Sequence, residues 1–254
     1  MRILVVGAGA TGGYFGGRLA QAGRNVTFLV RPKRAEQLRA DGLQIVSPHG
    51  NVTLTPQLVM AGGVTYYLIV PGSYAPSTPN PLLLVFSGTE GGAQMTSNLM
   101  NLSQTGIGGY VCVVLDGVDY YGNGAAGATA LDDVRSKYDI DNDRTYLLGE
   151  SAGTTAALQL GFHLRQPYFA AFWANDVNAS DSPDQTATQL GFQPWGQAGP
   201  GGDLADADAI VQAMQAAGYR LPTPAPYSGA GSTTHGDLNQ LIAALTSFTG
   251  ESRQ

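Results

Sequence analysis

The sequence predicts an α/β protein in two parts, a short β-α-β lobe followed by a larger, mostly parallel sheet with helices on both faces. Three observations predict it. Short apolar runs alternate with helix-like stretches along most of the chain. Two different glycine motifs, Gly7–Gly12 and Gly149–Gly153, each stand between an apolar run and the helix-like stretch after it. A change of character near residue 61 divides the chain into segments 1–61 and 62–254.

Composition narrows the class. The 254 residues are 43% apolar and 13% charged, which suits a core beneath a lightly charged surface. The 35 glycines and 14 prolines lie among apolar runs with no fixed period. That excludes a collagen repeat and indicates tight turns rather than disorder. A net charge of -6, with the dense basic run confined to Arg31–Arg34, argues against a nucleic-acid partner. Cys112 stands alone and cannot close an internal disulfide, and no Cys/His cluster has zinc spacing, so no metal is expected. Within Tyr110–Leu115 the thiol reads as a small buried hydrophobe. No apolar run approaches the ~20 residues of a membrane span. The glycines after Val6 interrupt what could otherwise open a signal peptide, so the chain as written reads as cytoplasmic.

In the first segment, the apolar run Arg2–Val6 leads into Gly7-Ala-Gly9-Ala-Thr-Gly12 and a helical stretch, Gly13–Ala22. A strand, Asn25–Val30, and a charged helix, Pro32–Ala40, follow before Asp41-Gly42. In this Rossmann-like setting Gly7 makes the tight turn, Gly9 lets backbone approach a pyrophosphate, and Gly12 lets helix and strand pack closely. The helix N-terminus then faces the phosphates. Arg31, backed by Lys33 and Arg34, stands where an NAD site would carry an acid, which favours the 2′-phosphate of NADP. The run Ile3–Leu19 resembles the start of ketopantoate reductases. The resemblance continues through Arg31-Pro32 and Asp41-Gly42-Leu43 to about Thr55. It implies NADP, but the nicotinamide half and the helical domain with its catalytic lysine have no counterpart after Ala61. Without them a hydride donor cannot be placed against a carbonyl. The segment therefore reads as a truncated, vestigial cofactor site, and no cofactor is required for the chemistry of the second segment.

There the apolar run Leu82–Phe86 enters Ser87-Gly88-Thr89-Glu90-Gly91-Gly92, and Tyr110–Leu115 ends at Asp116-Gly117. A helical stretch, Ala128–Lys137, precedes the strand Arg144–Leu148. That strand runs into Gly149-Glu150-Ser151-Ala152-Gly153 and the helix Thr154–Leu164. Strand, Gly-x-Ser-x-Gly, helix resembles the nucleophile elbow of the α/β-hydrolase fold, with Ser151 as nucleophile. A serine needs a base downstream. His49 precedes the segment and His163 lies about three turns along the elbow helix, which leaves His235, between Ser228–Thr234 and the helix Leu238–Phe248.

Six aspartates between Ser151 and His235 could orient the base. Family members carry this acid in a loop after a late strand. The resemblance then favours Asp203, following Phe192–Gln197 and before the helix Ala207–Ala217. Asp176, after Phe169–Ala174, is the next contender, and Asp206 reads as a cap of that helix. The oxyanion donors implied are the Ala152 N–H and Thr89, although relatives carry His-Gly where this chain has Ser87-Gly88. The acidic turn Asp139–Asp143 lacks the glycine and terminal glutamate of a calcium loop and reads as solvated. Trp173 and Trp195 read as core, with Tyr120-Tyr121 near the pocket.

The words Asp141…Asp143-Arg144-Thr-Tyr-Leu-Leu-Gly-Glu-Ser151-Ala-Gly, with Pro71, Ser87-Gly88 and His235, resemble the polyhydroxyalkanoate-depolymerase and feruloyl-esterase branch from Val64 to Phe248. The implied function is a serine carboxylesterase acting through an acyl-enzyme on a small or polymeric ester. The alternative is a nucleotide-binding or assembly protein with an inert hydrolase fold. Val52–Val59 and Val64–Val70 are expected to form a hairpin that stitches the lobe into the larger sheet. The incomplete lobe is expected to pack on the hydrolase part or to pair with another copy of the chain, giving a homo-oligomer.

Overall fold

In the computed structural model the chain divides into two compact units, Met1–Gly63 and Val64–Gln254. The structure describes residues 1–60, 63–184, 204–219, 221, 236 and 238–253.

The first unit runs β1 (Arg2–Val6), α1 (Ala10–Gln21), β2 (Asn25–Val30), α2 (Pro32–Asp41), β3 (Leu43–Ile45), β4 (Val52–Leu54) and β5 (Gln57–Met60). β1, β2 and β5 form a parallel sheet in that order, and β3 pairs antiparallel with β4. Alternation decides which face packs. Val26, Phe28 and Val30 of β2 are buried with Leu38, Leu43 and Ile45, and Ile3, Val5 and Leu58 pack against them. The opposite face carries Leu4, Val6 and Val59, which are 58%, 77% and 49% exposed. Parallel sheets are ordinarily covered on both faces, but among the described residues of this unit nothing covers that side.

The hairpin expected across residues 61–63 does not form. Gln57–Met60 instead lies parallel to β2, and Val52–Leu54 turns back on Leu43–Ile45. Both strands find apolar partners inside their own unit. Strand propensity in Val52–Val59 named strands correctly but could not name their partners.

The second unit contains β6 (Tyr67–Ile69), β7 (Asn80–Phe86), α3 (Gly92–Ser103), β8 (Val111–Leu115), α4 (Gly124–Lys137), β9 (Ile140–Glu150), α5 (Thr154–Gln159), β10 (Ala171–Asn175), α6 (Leu204–Ala216) and α7 (Leu238–Phe248). Its sheet has the order β10-β9-β7-β8-β6. Only β6 runs antiparallel within it, among the described strands. Leu82–Phe86 and Val111–Leu115 are continuous apolar runs because both faces of a central parallel strand are covered. Trp173 and Cys112 are buried in this core, and burial pushes the Cys112 thiol up to about 12. Among the described residues no helix is long and apolar enough to cross a membrane.

Three local readings are corrected. Asp141–Asp143 lies inside β9 rather than in a separate turn, with Asp141 accepting from Arg144 Nε (2.7 Å) and the Asp143 N–H (2.9 Å). α4 begins at Gly124, where the Asn123 side chain accepts the Ala126 N–H (3.2 Å). Asp206 sits in the first turn of α6, which begins at Leu204, and is therefore not its cap.

From β7 the chain passes first to β8 on one side and then to β9 on the other. The strand order therefore reverses beside the ends of β7 and β9, and open α/β sheets bind ligands at such a reversal.

Candidate active site

β9 delivers Glu150 at its last position, and the chain turns through the 3₁₀ segment Ser151–Gly153 into α5. Ser151 has φ +46° and Asp176 φ +51°. This left-handed region is costly for any residue with a Cβ, and such strain gathers at functional positions. The turn is tight because the backbone is crowded. A Cβ on Gly153 would lie 2.5 Å from the Phe86 and Ser87 carbonyl oxygens, and one on Gly149 would lie 2.6 Å from the Ala157 Cβ. No side chain fits at either glycine without moving β7 or α5.

The loop after β7 closes over the serine. A Cβ on Gly88 would sit 3.3 Å from the Ser151 Cβ, and Thr89, Glu90 and Ser151 line one cleft of about 450 Å³ with Glu150, Gly236 and Leu241. Ser87 accepts the Gly117 N–H on its Oγ (3.1 Å) and so ties this loop to the one after β8. Asp116 completes the tie by accepting the Gly92 N–H (2.9 Å). Burial opposes the charge of Asp116, but the N–H groups of Gly92, Asp119 and Val118 outweigh it and hold the carboxyl below its ordinary range. Glu90 Oε1 accepts the Gly88 N–H (2.9 Å). The Ala152 backbone lies in the turn directly after Ser151, where a helix start presents N–H groups.

Asp176 follows β10, is fully buried, and accepts the Gly236 N–H on Oδ2 (2.6 Å). Gly236 is the residue after His235. His235 and Asp203 themselves lie outside the described residues, as does Trp195. His163 is engaged elsewhere, with Nε2 2.8 Å from Asp181 and Nδ1 2.9 Å from Asp184. That pairing engages two of the six aspartates with His163. Tyr120 donates or accepts through its hydroxyl at Thr65, and Tyr121 is exposed.

Sequence reasoning passed over Glu150. It is 6% exposed, and its Oε2 accepts from Asn175 Nδ2 (2.8 Å). Burial, reinforced by the charges of Asp176 and Glu90 and opposed by the Asn175 hydrogen bond, pushes its carboxyl up to about 8. A carboxyl two residues after the buried apolar run Tyr146–Leu148 was the available signal.

In the first unit the glycine loop is tightly wound at the start of α1. Gly7 has φ +85°, Gly12 packs so closely that a Cβ would meet the Gly7 carbonyl, and α1 starts directly after Gly9. Arg31 immediately precedes α2, and Arg34 donates from Nη2 to the Ala8 carbonyl (2.9 Å), beside the loop.

A family model for ketopantoate reductase PanE/ApbA matches residues 3–71. The uncharacterized oxidoreductase YkpB of Bacillus subtilis (strain 168) is 56% identical over 70 residues, 28% of this chain and 23% of the relative. The chain thus spans about a quarter of that relative's length. Among solved structures, a thermostable esterase aligns with a TM-score of 0.57 at 14% identity, over 82% of this chain and 62% of that one. A dienelactone hydrolase-like promiscuous phosphotriesterase from metagenomic libraries aligns at 0.47 and 13% identity, over 69% and 88%. The chain therefore joins a Rossmann-like segment, similar to the start of ketopantoate reductases, to a unit with the α/β-hydrolase fold.

Proposed function

We propose that this protein is a serine carboxylesterase. The observation that carries the reading is Ser151, held at positive φ between β9 and α5 and facing a cleft at the strand-order reversal. Ser151 Oγ attacks the ester carbonyl while its proton passes to His235. The tetrahedral oxyanion is held by the N–H of Ala152 and a donor at Thr89. Collapse expels the alcohol, which takes the proton back from His235. Water then repeats the sequence on the acyl-enzyme and releases the acid and the free serine.

For the acid, Asp203 follows from family position. The hydrogen bond between Asp176 and Gly236 favours Asp176, because it ties that carboxylate to the backbone adjoining His235. Hydrolysis of a short-chain chromogenic ester tests the reading. Activity is expected in the intact protein and expected to vanish in Ser151→Ala, and turnover unaffected by that substitution would refute it.

A second reading draws on the first unit. The geometry of Gly7, Gly9 and Gly12, with Arg31 and Arg34 nearby, fits the adenosine and pyrophosphate end of NADP. When bound in full, such a cofactor supplies a hydride, but this chain's match to the reductases ends at residue 71. NADPH titration followed by fluorescence tests whether the lobe retains binding. Ester hydrolysis is expected to be unchanged by it.

A further inference from the structure

Glu150 and Asp176 reach the same turn from adjacent strand ends. β9 and β10 are paired in register, with Glu150 opposite Asn175. Asn175 Nδ2 donates to Glu150 Oε2 (2.8 Å) and to Gln240 Oε1 of α7 (3.0 Å), and also approaches Asp176 Oδ2 (3.5 Å). The other oxygen of Glu150 is buried without a hydrogen bond among the described residues, and a Cβ on Gly236 would lie 3.7 Å from it. An unpaired buried oxygen is costly, and a carboxylate there would cost more than a carboxylic acid.

Building on the esterase reading, we propose that Glu150 is a positioning residue that works as a neutral carboxylic acid, leaving Asp176 to hold the Gly236 N–H, next in sequence to the proposed base, without an added charge from the end of β9. Among the described residues, the groups facing Glu150 are Asp176 after β10, Glu90 in the loop after β7 and the neutral Asn175, which is itself held by Gln240 from α7. Among the described residues none of these is a cation, so nothing in the cluster favours a further negative charge. Its carboxyl stands at about 8 for this reason. Above that pH the ionised Glu150 adds charge beside the oxyanion and repels Asp176, and turnover falls.

The test is the pH–rate profile of p-nitrophenyl butyrate hydrolysis by the full chain, together with its melting temperature across the same pH range. The wild type is expected to lose kcat/KM along an alkaline limb with an apparent pKa near 8. Glu150→Ala is expected to lower kcat about tenfold or more at neutral pH. Glu150→Gln should recover most of that loss and abolish the limb, because an amide keeps the shape and cannot ionise. A limb that persists unchanged in Glu150→Gln, or a wild type with none, overturns the proposal.

The melting curves separate this from failure of the esterase reading itself. Glu150 has a folded pKa above its unfolded value, so its stabilisation is complete below the unfolded value. It is lost as pH rises through the folded value. Wild-type melting temperature should therefore fall relative to that of Glu150→Gln between about pH 5 and 9, even if no ester is ever hydrolysed. Parallel curves overturn the proposal. Hydrolysis that survives Ser151→Ala overturns only the esterase reading.

Discussion

Ser151 and Asp176 share a backbone property unusual for residues with a side chain, since both hold positive φ at the ends of neighbouring strands. Each such conformation costs on the order of 1–3 kcal/mol and persists only when its surroundings enforce it. At Ser151 the enforcement is steric, through Gly149 and Gly153. At Asp176 it includes the Gly236 N–H, a charge-assisted bond inside the core. The two candidate acids can therefore be separated at this scale. Asp176→Asn is expected to lower kcat about 10²- to 10⁴-fold, because an amide no longer stabilises an imidazolium, while Asp203→Asn should cost less than about tenfold. Steady-state kinetics on both variants decides, and the reverse order would select Asp203.

Gly153→Ala forces a methyl against the end of β7, 2.5 Å from two carbonyl oxygens. It should lower stability by about 2–3 kcal/mol in urea titration, the cost of overpacking a site that cannot relax. A change below about 0.5 kcal/mol would mean that the turn is looser than described. His163 behaves differently. Burial opposes its cation, but the hydrogen bonds to Asp184 and Asp181 outweigh that and raise its pKa. The stabilisation is complete below the ordinary histidine value near ~6.5 and fades as pH rises through the raised one. His163→Gln is expected to lower the melting temperature at about pH 5.5 and to matter less at about pH 8.5. An equal loss at both would contradict the pairing.

Elements were legible wherever burial imposes a period. Arg2–Val6, Asn25–Val30 and Leu238–Phe248 appear with the bounds their apolar runs suggest. α3 escaped notice because Gly92–Ser103 has no charged residue and six of Ser, Thr, Asn and Gln. Its only signal was Met95, Leu99 and Leu102, spaced for one helical face. Strand order could not be read at all, since apolar strands such as β7 and β8 carry nothing that names a neighbour. Within the site, Ser151 was legible from the motif around it. Asp176 was one aspartate among six until Gly236 was brought to it by the fold.

At the scale of the whole molecule, two units of different character share one chain. The first has a core of its own, yet leaves Leu4, Val6 and Val59 exposed on a sheet face that parallel folds usually cover. The expectation of self-association has this face as its physical basis. Light scattering should then give a mass above that of one chain, returned to 26.4 kDa by Leu4→Glu with Val6→Glu. A single-chain mass at every concentration would contradict it.

The central claim concerns a single oxygen atom, and covalent trapping interrogates it directly. A fluorophosphonate ester incubated with the intact protein should leave one adduct per chain, which peptide mass spectrometry locates on Ser151. The adduct should be absent from Ser151→Ala. Labelling at another residue, or no labelling of a folded sample, would contradict the account.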